Sequence, residues 1–397
     1  MRTPVFEISE YKERIKKTKL SMEKSGLEVM ISTLPQNMYY LSGYDCGSFY
    51  VHQGVIVSID KEEPIWFGRG MDANGAKITT WLKQENIREY GDDYVQSTVK
   101  HPMDFVGDIL KENGWDKKVI GLEMDQYYFT AQAYLSLKAS LPNAVFQNAN
   151  LLVNWVRLIK SDNEIAYMKK AGKIVEKAMG VAMDSIRSGV RQCDVAGKVL
   201  NAQMAGTKEF GGDYTSVFPV MASGIGTTAA HMSWSDEKYN ENEVSYLEIA
   251  GCKKRYHAPL CRTIYTGKPP QALIDKAKSV IDGLNETLDF VKQGISCEEV
   301  EAKWRFSISK SKIVKKQRMA YPIGIGYPPD WGEQTVSMRP GDKTILKPNM
   351  TFHMIPAIWQ KYEDKEDLGF IISESLVVTE NGCETLADFP RKLFVSE

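Results

Sequence analysis

The sequence predicts an α/β domain followed by a second domain in which long helices cover a curved antiparallel sheet. Strand-like and helix-like segments alternate in the first half of the 397 residues, and strand-like segments dominate the last third. A helix-start signal near residue 160 separates the two patterns. We therefore expect domains at residues 1–158 and 159–397, a division that suits a chain of this length.

The expected elements of the first domain follow one another in regular order. Residues 9–25 form a polar, Lys-rich segment typical of a surface helix, and residues 27–33 form a short apolar run typical of a buried strand. The runs at 51–60 and 63–68 are predicted to be adjacent strands, and 118–125 is another strand between helical stretches. This alternation favours a mixed sheet.

Two long helices are expected in the second domain. Ser161 and Glu164 have the Ser-x-x-Glu spacing of a capping box, and apolar residues then recur at helical spacing as far as Gly189, a stop signal. A second helix is predicted from Pro270 to Gly294, and Ser296 with Glu299 repeats the capping signal. Strand-like sequences fill most of the remainder: EVSYLEIAG, HAPLCRTIYTG, NMTFHMIPAIW and FIISESLVVTENG.

Composition excludes several classes of function. The net charge is −1, so bulk electrostatics favour neither nucleic acid nor an anionic membrane as a partner. The basic run Lys310–Arg318 is interpreted as the solvated face of a helix. Glycine pairs at 224–226 and 324–326 lack the further residues of a nucleotide-binding loop, so no nucleotide is expected.

The cysteines and the N-terminus indicate a cytoplasmic protein. None of the six cysteines forms a CxxC pair, which is typical of free thiols in a reducing compartment rather than a structural zinc site. The N-terminal residues lack the apolar core of a signal peptide. No run approaches the roughly 20 apolar residues of a membrane-spanning helix.

Residues Val244–Thr263 resemble a metal site of the pita-bread metallohydrolases, the creatinase/prolidase superfamily. That family places one aspartate on a strand and a second eleven residues later, before an Arg-Thr pair. This chain has Glu248 at the first position and Pro259 at the second. Proline has no side-chain donor, so the resemblance implies a retained scaffold with altered chemistry.

Three further positions extend this pattern. The GHGIG segment of the family is matched by Pro322–Gly326, with Ile323 in place of the histidine ligand. The glutamate before a late proline is matched by Ile355, and the last ligand position by Ser373, one residue before Glu374. Because divalent cations need several oxygen or nitrogen donors, we expect no metal and no other cofactor.

The resemblance covers essentially the whole chain and implies its architecture. It predicts a creatinase-like α/β N-terminal domain and an α+β pita-bread (creatinase/aminopeptidase-like) C-terminal domain. It also implies a homodimer, in which the N-terminal domain of one subunit borders the site of the other.

Within this superfamily, four segments resemble the ectoine hydrolases more closely: 43–57, 64–77, 247–263 and 324–342. Such enzymes open the cyclic amidine ring of ectoine to give N-acetylated 2,4-diaminobutyrate. The expected partner is therefore a small cyclic amidine carboxylate. Two alternatives stay open: a creatinase-like amidinohydrolase acting on another small amidine or guanidine, and a binding protein without catalysis.

Three residues are candidates for catalysis. His231 resembles the acid/base histidine of creatinase, and histidine as a residue type suits proton transfer near neutral pH. Glu248 lies among apolar strand residues, where a carboxylate is costly unless it is paired. It is a cation partner, a base or a nucleophile. Glu374 is the second carboxylate, although strand alternation would turn it to the opposite face.

Four residues are candidates for substrate binding. Arg339 has the spacing of the arginine that binds the substrate carboxylate in creatinase. His257 lies beside the Glu248 segment. Phe49 and His52 are candidates for a lid over the neighbouring subunit's site, as is Tyr50 between them.

Overall fold

The computed structural model describes residues 4–311, 313–363 and 367–396. The chain divides into two compact units, Met1–Arg157 and Leu158–Glu397. Within the described part of the chain, no helix combines the length and the apolar character needed to cross a membrane.

The first unit is built on a six-stranded mixed sheet of order β4-β3-β2-β1-β5-β6. β1–β2 and β2–β3 are antiparallel, and the other neighbours are parallel. The strands are β1 (Val29–Ser32), β2 (Gly54–Ser58), β3 (Ile65–Arg69), β4 (Ile87–Tyr90), β5 (Val119–Leu122) and β6 (Val145–Asn148). The helices are α1 (Ile8–Lys24), α2 (Pro35–Ser42), α3 (Gly70–Thr79), α4 (Pro102–Glu112), α5 (Ala131–Ser140) and α6 (Leu152–Val156). The predicted strands and the opening helix are thus present.

The second unit is built on nine strands. Seven form the order β14-β13-β12-β10-β9-β8-β7, while β11 pairs with β10 and β15 pairs with β9. The strands are β7 (Val220–Ser223), β8 (Glu243–Lys253), β9 (Tyr256–Thr266), β10 (Ala320–Tyr327), β11 (Asp330–Gly332), β12 (Thr351–Met354), β13 (Glu374–Val378), β14 (Cys383–Thr385) and β15 (Phe394–Ser396). The helices are α7 (Asp162–Ser185), α8 (Gln192–Ala205), α9 (Gln271–Phe290) and α10 (Cys297–Ser307).

The two predicted capping boxes are confirmed, and they determine where α7 and α10 begin. Ser161 accepts a hydrogen bond from the backbone N–H of Glu164, whose carboxylate accepts one from Ser161. Ser296 and Glu299 make the same reciprocal arrangement. Each pair satisfies backbone donors that the first helical turn leaves without partners.

The sheet of the second unit has a helix-covered face and an opposite face, and strand alternation assigns each residue to one of them. Leu247 and Ile249 of β8 share a core cluster with α7 and α8. Tyr246 lies in a separate cluster with residues of β7 and β9. We call the face of Tyr246 the inner face. Glu248 shares it because it is two residues further along β8.

The interpretation of the basic run Lys310–Arg318 as a helix face is wrong. Ser309–Ser311 form a single 3-10 turn, Lys312 lies outside the described residues, and residues 313–318 have no regular structure. Helical periodicity is weak over so short a polar run, and β10 begins at Ala320, so the segment serves as a connection.

Candidate functional site

Glu248 is a carboxylate placed in apolar surroundings at the middle of β8. Its cross-strand neighbours are Val220 and Cys261, both members of the inner-face apolar cluster. The residue is only 7% exposed. Burial disfavours the charged form and raises the pKa of Glu248 to about 7.

One imidazole lies close to this carboxylate. Nδ1 of His353 is 3.8 Å from Oε1 of Glu248. His353 is fully buried, and burial lowers its pKa to about 3, so the ring is neutral and does not neutralise Glu248. In the described part of the chain, Glu248 has no other ionic contact within 4 Å.

A hydrogen-bond chain holds His353 in position. Its Nδ1 lies 2.8 Å from the hydroxyl of Tyr321, and its Nε2 lies 2.6 Å from Oγ of Ser373. Nε1 of Trp331 donates to the Tyr321 oxygen at 2.9 Å. We call Glu248, Tyr321, His353 and Ser373 the Glu248 site.

The sheet register brings these residues together from separate parts of the sequence. Tyr321 of β10 lies directly opposite His353 of β12. Ser373 immediately precedes β13, and β13 pairs with β12 so that Glu374 lies opposite Met354. The site is therefore built on sheet strands, which hold side chains more rigidly than loops do.

The residues present do not fit the metal centre that the fold family implies. Positions matched to family ligands carry Pro259, Ile323, Ile355 and Ser373, of which only the serine has a side-chain donor. Both ring nitrogens of His353 already have partners. Among the described residues, no group of three or more His, Cys, Asp or Glu side chains is arranged to hold an ion. One carboxylate is too few for a two-metal site.

His231 lies on an exposed turn that is attached to the inner face. The hydroxyl of Tyr246 donates to the backbone oxygen of Ala229 at 2.5 Å, and the N–H of Met221 donates to the oxygen of Met232 at 2.9 Å. Tyr246 is two residues from Glu248 on the same face. These two bonds hold the backbone on either side of His231 against the strands that carry the site.

Glu374 faces away from Glu248, so the structure does not bring these two predicted catalytic carboxylates together. Its Oε1 lies 2.6 Å from Nη2 of Arg262 and 3.0 Å from Nε of Arg391. Arg262 lies opposite Leu247 in the sheet, on the helix-covered face. Strand alternation therefore turns Glu374 to that face and leaves Ser373 on the inner face. Glu374 is a partner in a buried ion pair.

His257 has no nitrogen left for a substrate. Its Nε2 accepts from the backbone N–H of Ser216 at 3.0 Å, so Nδ1 carries the hydrogen and donates to the oxygen of Arg255 at 2.8 Å. The side chain is fully buried, and burial lowers its pKa to about 3. These hydrogen bonds fix the backbone around Ser216, so the geometry gives no support to the expected contact of His257 with substrate.

The Glu248 site as defined above includes none of the remaining predicted binding residues. Arg339 is exposed and lies at a bend that precedes the turn at residues 340–341. Phe49 and His52 lie in the first unit, where the ring of Phe49 is 6.1 Å from that of Tyr128. The ring of His52 is 4.7 Å from that of His101, and burial lowers the pKa of His52 to about 4.

Sequence reasoning missed His353 and Tyr321, and it also missed the hydrogen bond between Ser373 and His353. A usable signal existed for the first two. His353 is two residues before Ile355, and Tyr321 is two residues before Ile323. Since strand residues two apart share a face, the face that carries ligands in the family also carries these side chains.

Comparison with known proteins agrees with this architecture. The model of the creatinase/prolidase N-terminal domain matches residues 14–159, and that of metallopeptidase family M24 matches residues 166–380. An ectoine hydrolase of Halomonas elongata is 43% identical over 98% of both chains. A creatinase of a Bacillus species is 22% identical over 98% of this chain and 92% of its own. The crystal structure of a prolidase from Thermococcus sibiricus has a TM-score of 0.81 at 21% identity, covering 97% of this chain and 99% of its own, which shows the shared fold.

The chain therefore belongs to metallopeptidase family M24, in the creatinase/prolidase superfamily with its pita-bread fold. It is a hydrolase that acts on carbon–nitrogen bonds.

Proposed function

We propose that this hydrolase opens the ring of a cyclic amidine carboxylate of the ectoine type. The observation that carries the proposal is Glu248, a buried carboxylate without a neutralising cation among the described residues. Such a group is costly in the free protein and is a mark of a functional site. A bound amidinium supplies the missing charge through charge-assisted hydrogen bonds. The 43% identical ectoine hydrolase supports this choice of substrate over the creatinase-like alternative.

The chemistry needs no Lewis acid because the amidinium carbon is already electron-poor. A water oxygen forms a bond to that carbon, and the water's proton passes to a base. One carbon–nitrogen bond of the ring then breaks with its electron pair on nitrogen, which takes up a proton, while the hydroxyl group on the carbon loses its proton as the carbonyl forms. The products are an acetamide and a primary amine on one open chain.

His231 and Glu248 have different roles in this proposal. Glu248 holds the cation, and the cation in turn lowers the pKa of Glu248 below about 7, so the carboxylate is ionised in the complex. His231 moves the proton between water and the leaving nitrogen, because an imidazole can both accept and donate a proton. The hydrogen bonds on either side of its turn support this assignment.

The proposal includes a metal-independent enzyme that works as a cytoplasmic homodimer. The donor set around Glu248 supports the first point, and the six free cysteines support a reducing compartment. The proposal also keeps three substrate-binding residues that the resemblance implies. These are Arg339 and, in the dimer, Phe49 and His52.

The test is turnover of ectoine by the purified protein in the presence of a chelator, followed by NMR of the acetyl group. We expect ring opening to N-acetylated 2,4-diaminobutyrate by the wild type and its near-complete loss in Glu248→Gln. Glu243→Gln is a control, since Glu243 begins the same strand and its carboxylate is bound to Ser223 and Asn240. No turnover by the folded wild type, or undiminished turnover by Glu248→Gln, would overturn the proposal.

A further inference from the structure

A cationic side chain, Arg318, lies over the Tyr321 ring of the Glu248 site. The guanidinium carbon of Arg318 is 4.5 Å from the centre of the Tyr321 ring, within the range of a cation–π contact. The hydroxyl at the other end of this ring binds His353, and His353 lies beside Glu248. Tyr321 thus separates a cationic group from an anionic group in one site.

Arg318 has two other cationic side chains in its electrostatic neighbourhood. Lys315 and Arg339 both act on it as like charges, and in residues 313–363 and the other described segments neither Arg318 nor Lys315 makes an ion pair. Asp330 is the acidic group that acts on Arg318, and its Oδ1 already accepts from the N–H of Gly332 at 2.8 Å.

Such an arrangement is costly without an anion. Partial burial and, after it, neighbouring like charges disfavour the protonated forms, and they lower the pKa of Lys315 to about 8 and that of Arg318 as well. An anionic group bound between them would relieve this repulsion. Arginine offers parallel N–H donors that match a carboxylate.

We propose that Arg318, with Lys315 beside it, binds the carboxylate of the substrate over the face of Tyr321 while Glu248 binds its amidinium. This inference rests on the proposed function. It makes Arg318 a specificity-determining residue that binds the substrate carboxylate, a role that the sequence pattern assigned to Arg339 alone. The site then selects dipolar ligands with an anion and an amidinium close together. A cyclic amidine without a carboxylate binds to Glu248 but not to Arg318.

The experiment compares Arg318→Gln with Lys316→Gln, an exposed lysine of the same segment that gives the same change in net charge. Each variant is assayed with ectoine and with 2-methyl-1,4,5,6-tetrahydropyrimidine, which has the amidine ring but no carboxylate. For ectoine we expect Arg318→Gln to raise KM at least about tenfold with little change in kcat, as lost charge-assisted bonds in both ground and transition states require. Arg318→Lys should restore part of the loss.

The carboxylate-free substrate separates a binding role from a merely structural one. We expect its kcat/KM to be the same in the wild type, Arg318→Gln and Lys316→Gln. If Arg318→Gln loses activity equally on both substrates, or matches Lys316→Gln on ectoine, the carboxylate subsite is refuted while the proposed function stands.

If the wild type does not hydrolyse ectoine, the proposed function fails and calorimetric titration with ectoine still decides the subsite. Binding to the wild type that Arg318→Gln weakens and Lys316→Gln does not would support it. Absence of binding to the wild type would overturn it as well.

Discussion

Replacing Glu248 by glutamine should make the protein more stable while it destroys turnover. The substitution keeps the shape of the side chain and removes a buried charge. Burial raises the pKa of Glu248 from its ordinary 4.5 to about 7. A difference of this size between the unfolded and folded states corresponds to about 3 kcal/mol of lost stability once both states are ionised.

The sign of this effect fixes its dependence on pH. Between about pH 4.5 and pH 7 the folded state holds a proton on Glu248 that the unfolded state has released. The contribution of Glu248 to the free energy of unfolding therefore falls as pH rises through this window, and it stays low above pH 7. Glutamine has no such loss.

Urea unfolding at pH 5 and at pH 8 measures this difference. We expect Glu248→Gln to exceed the wild type by about 3 kcal/mol at pH 8 and by much less at pH 5. Glu374→Gln is the matched control, because it removes the partner of the buried Arg262 and should cost about 3–5 kcal/mol at both pH values. A Glu248→Gln protein that is less stable than the wild type at pH 8, or whose advantage is the same at both pH values, would refute the reasoning.

Three further predictions address the rest of the site. His231→Ala should lower kcat by about 10²–10⁴-fold with little change in KM, because a proton-transfer group acts in the transition state. Steady-state kinetics measures both constants, and an unchanged kcat would show that His231 takes no part in the mechanism. Activity should survive dialysis against a strong chelator, and elemental analysis of the active protein should find less than one ion per chain; activity that returns only with added metal would contradict this. His353→Phe should lower the free energy of unfolding by about 2–4 kcal/mol in urea, since it leaves Tyr321 and Ser373 without their buried partner; a variant as stable as the wild type would show that these bonds contribute nothing.

Local signals in the sequence were sufficient for the secondary structure that surrounds the site. The capping boxes at Ser161 and Ser296 mark the starts of α7 and α10, because each satisfies backbone donors within one turn. The predicted helix from Pro270 ends at Phe290, four residues before the expected Gly294, since the backbone is already extended at Val291. The long strands β8 and β9 follow from apolar, β-branched and aromatic content.

The composition of the site depends on register, which local signals do not determine. A shift of one residue moves a side chain to the other face of a strand. Counting against the family pattern placed Ser373 at the ligand position, and the structure has Ser373 on the inner face and Glu374 in an ion pair with Arg262. His257 was predicted from its neighbourhood alone, and one of its two hydrogen-bond partners is the backbone N–H of Ser216, 41 residues away. Contacts of that range are not visible in a local pattern.

The basic segment shows a different limit. Between Lys310 and Arg318 the sequence has charge but little periodicity, and a charge run most often forms a solvated face. The connection into β10 instead carries Arg318 over Tyr321. That contact depends on where β10 begins, at Ala320, and not on any property of the run itself.

The apolar replacements at the ligand positions have a second effect besides removing donors. In a metal site, bound cations stabilise clustered carboxylates. Here Ile355 packs against the cluster that contains Val220 and Cys261, the two cross-strand neighbours of Glu248. The same kind of substitution that leaves too few donors for an ion thus also surrounds the remaining carboxylate with carbon and raises its pKa. A buried carboxylate in such surroundings binds most strongly a ligand that is itself a cation. An amidinium is a cation, whereas a neutral peptide is not.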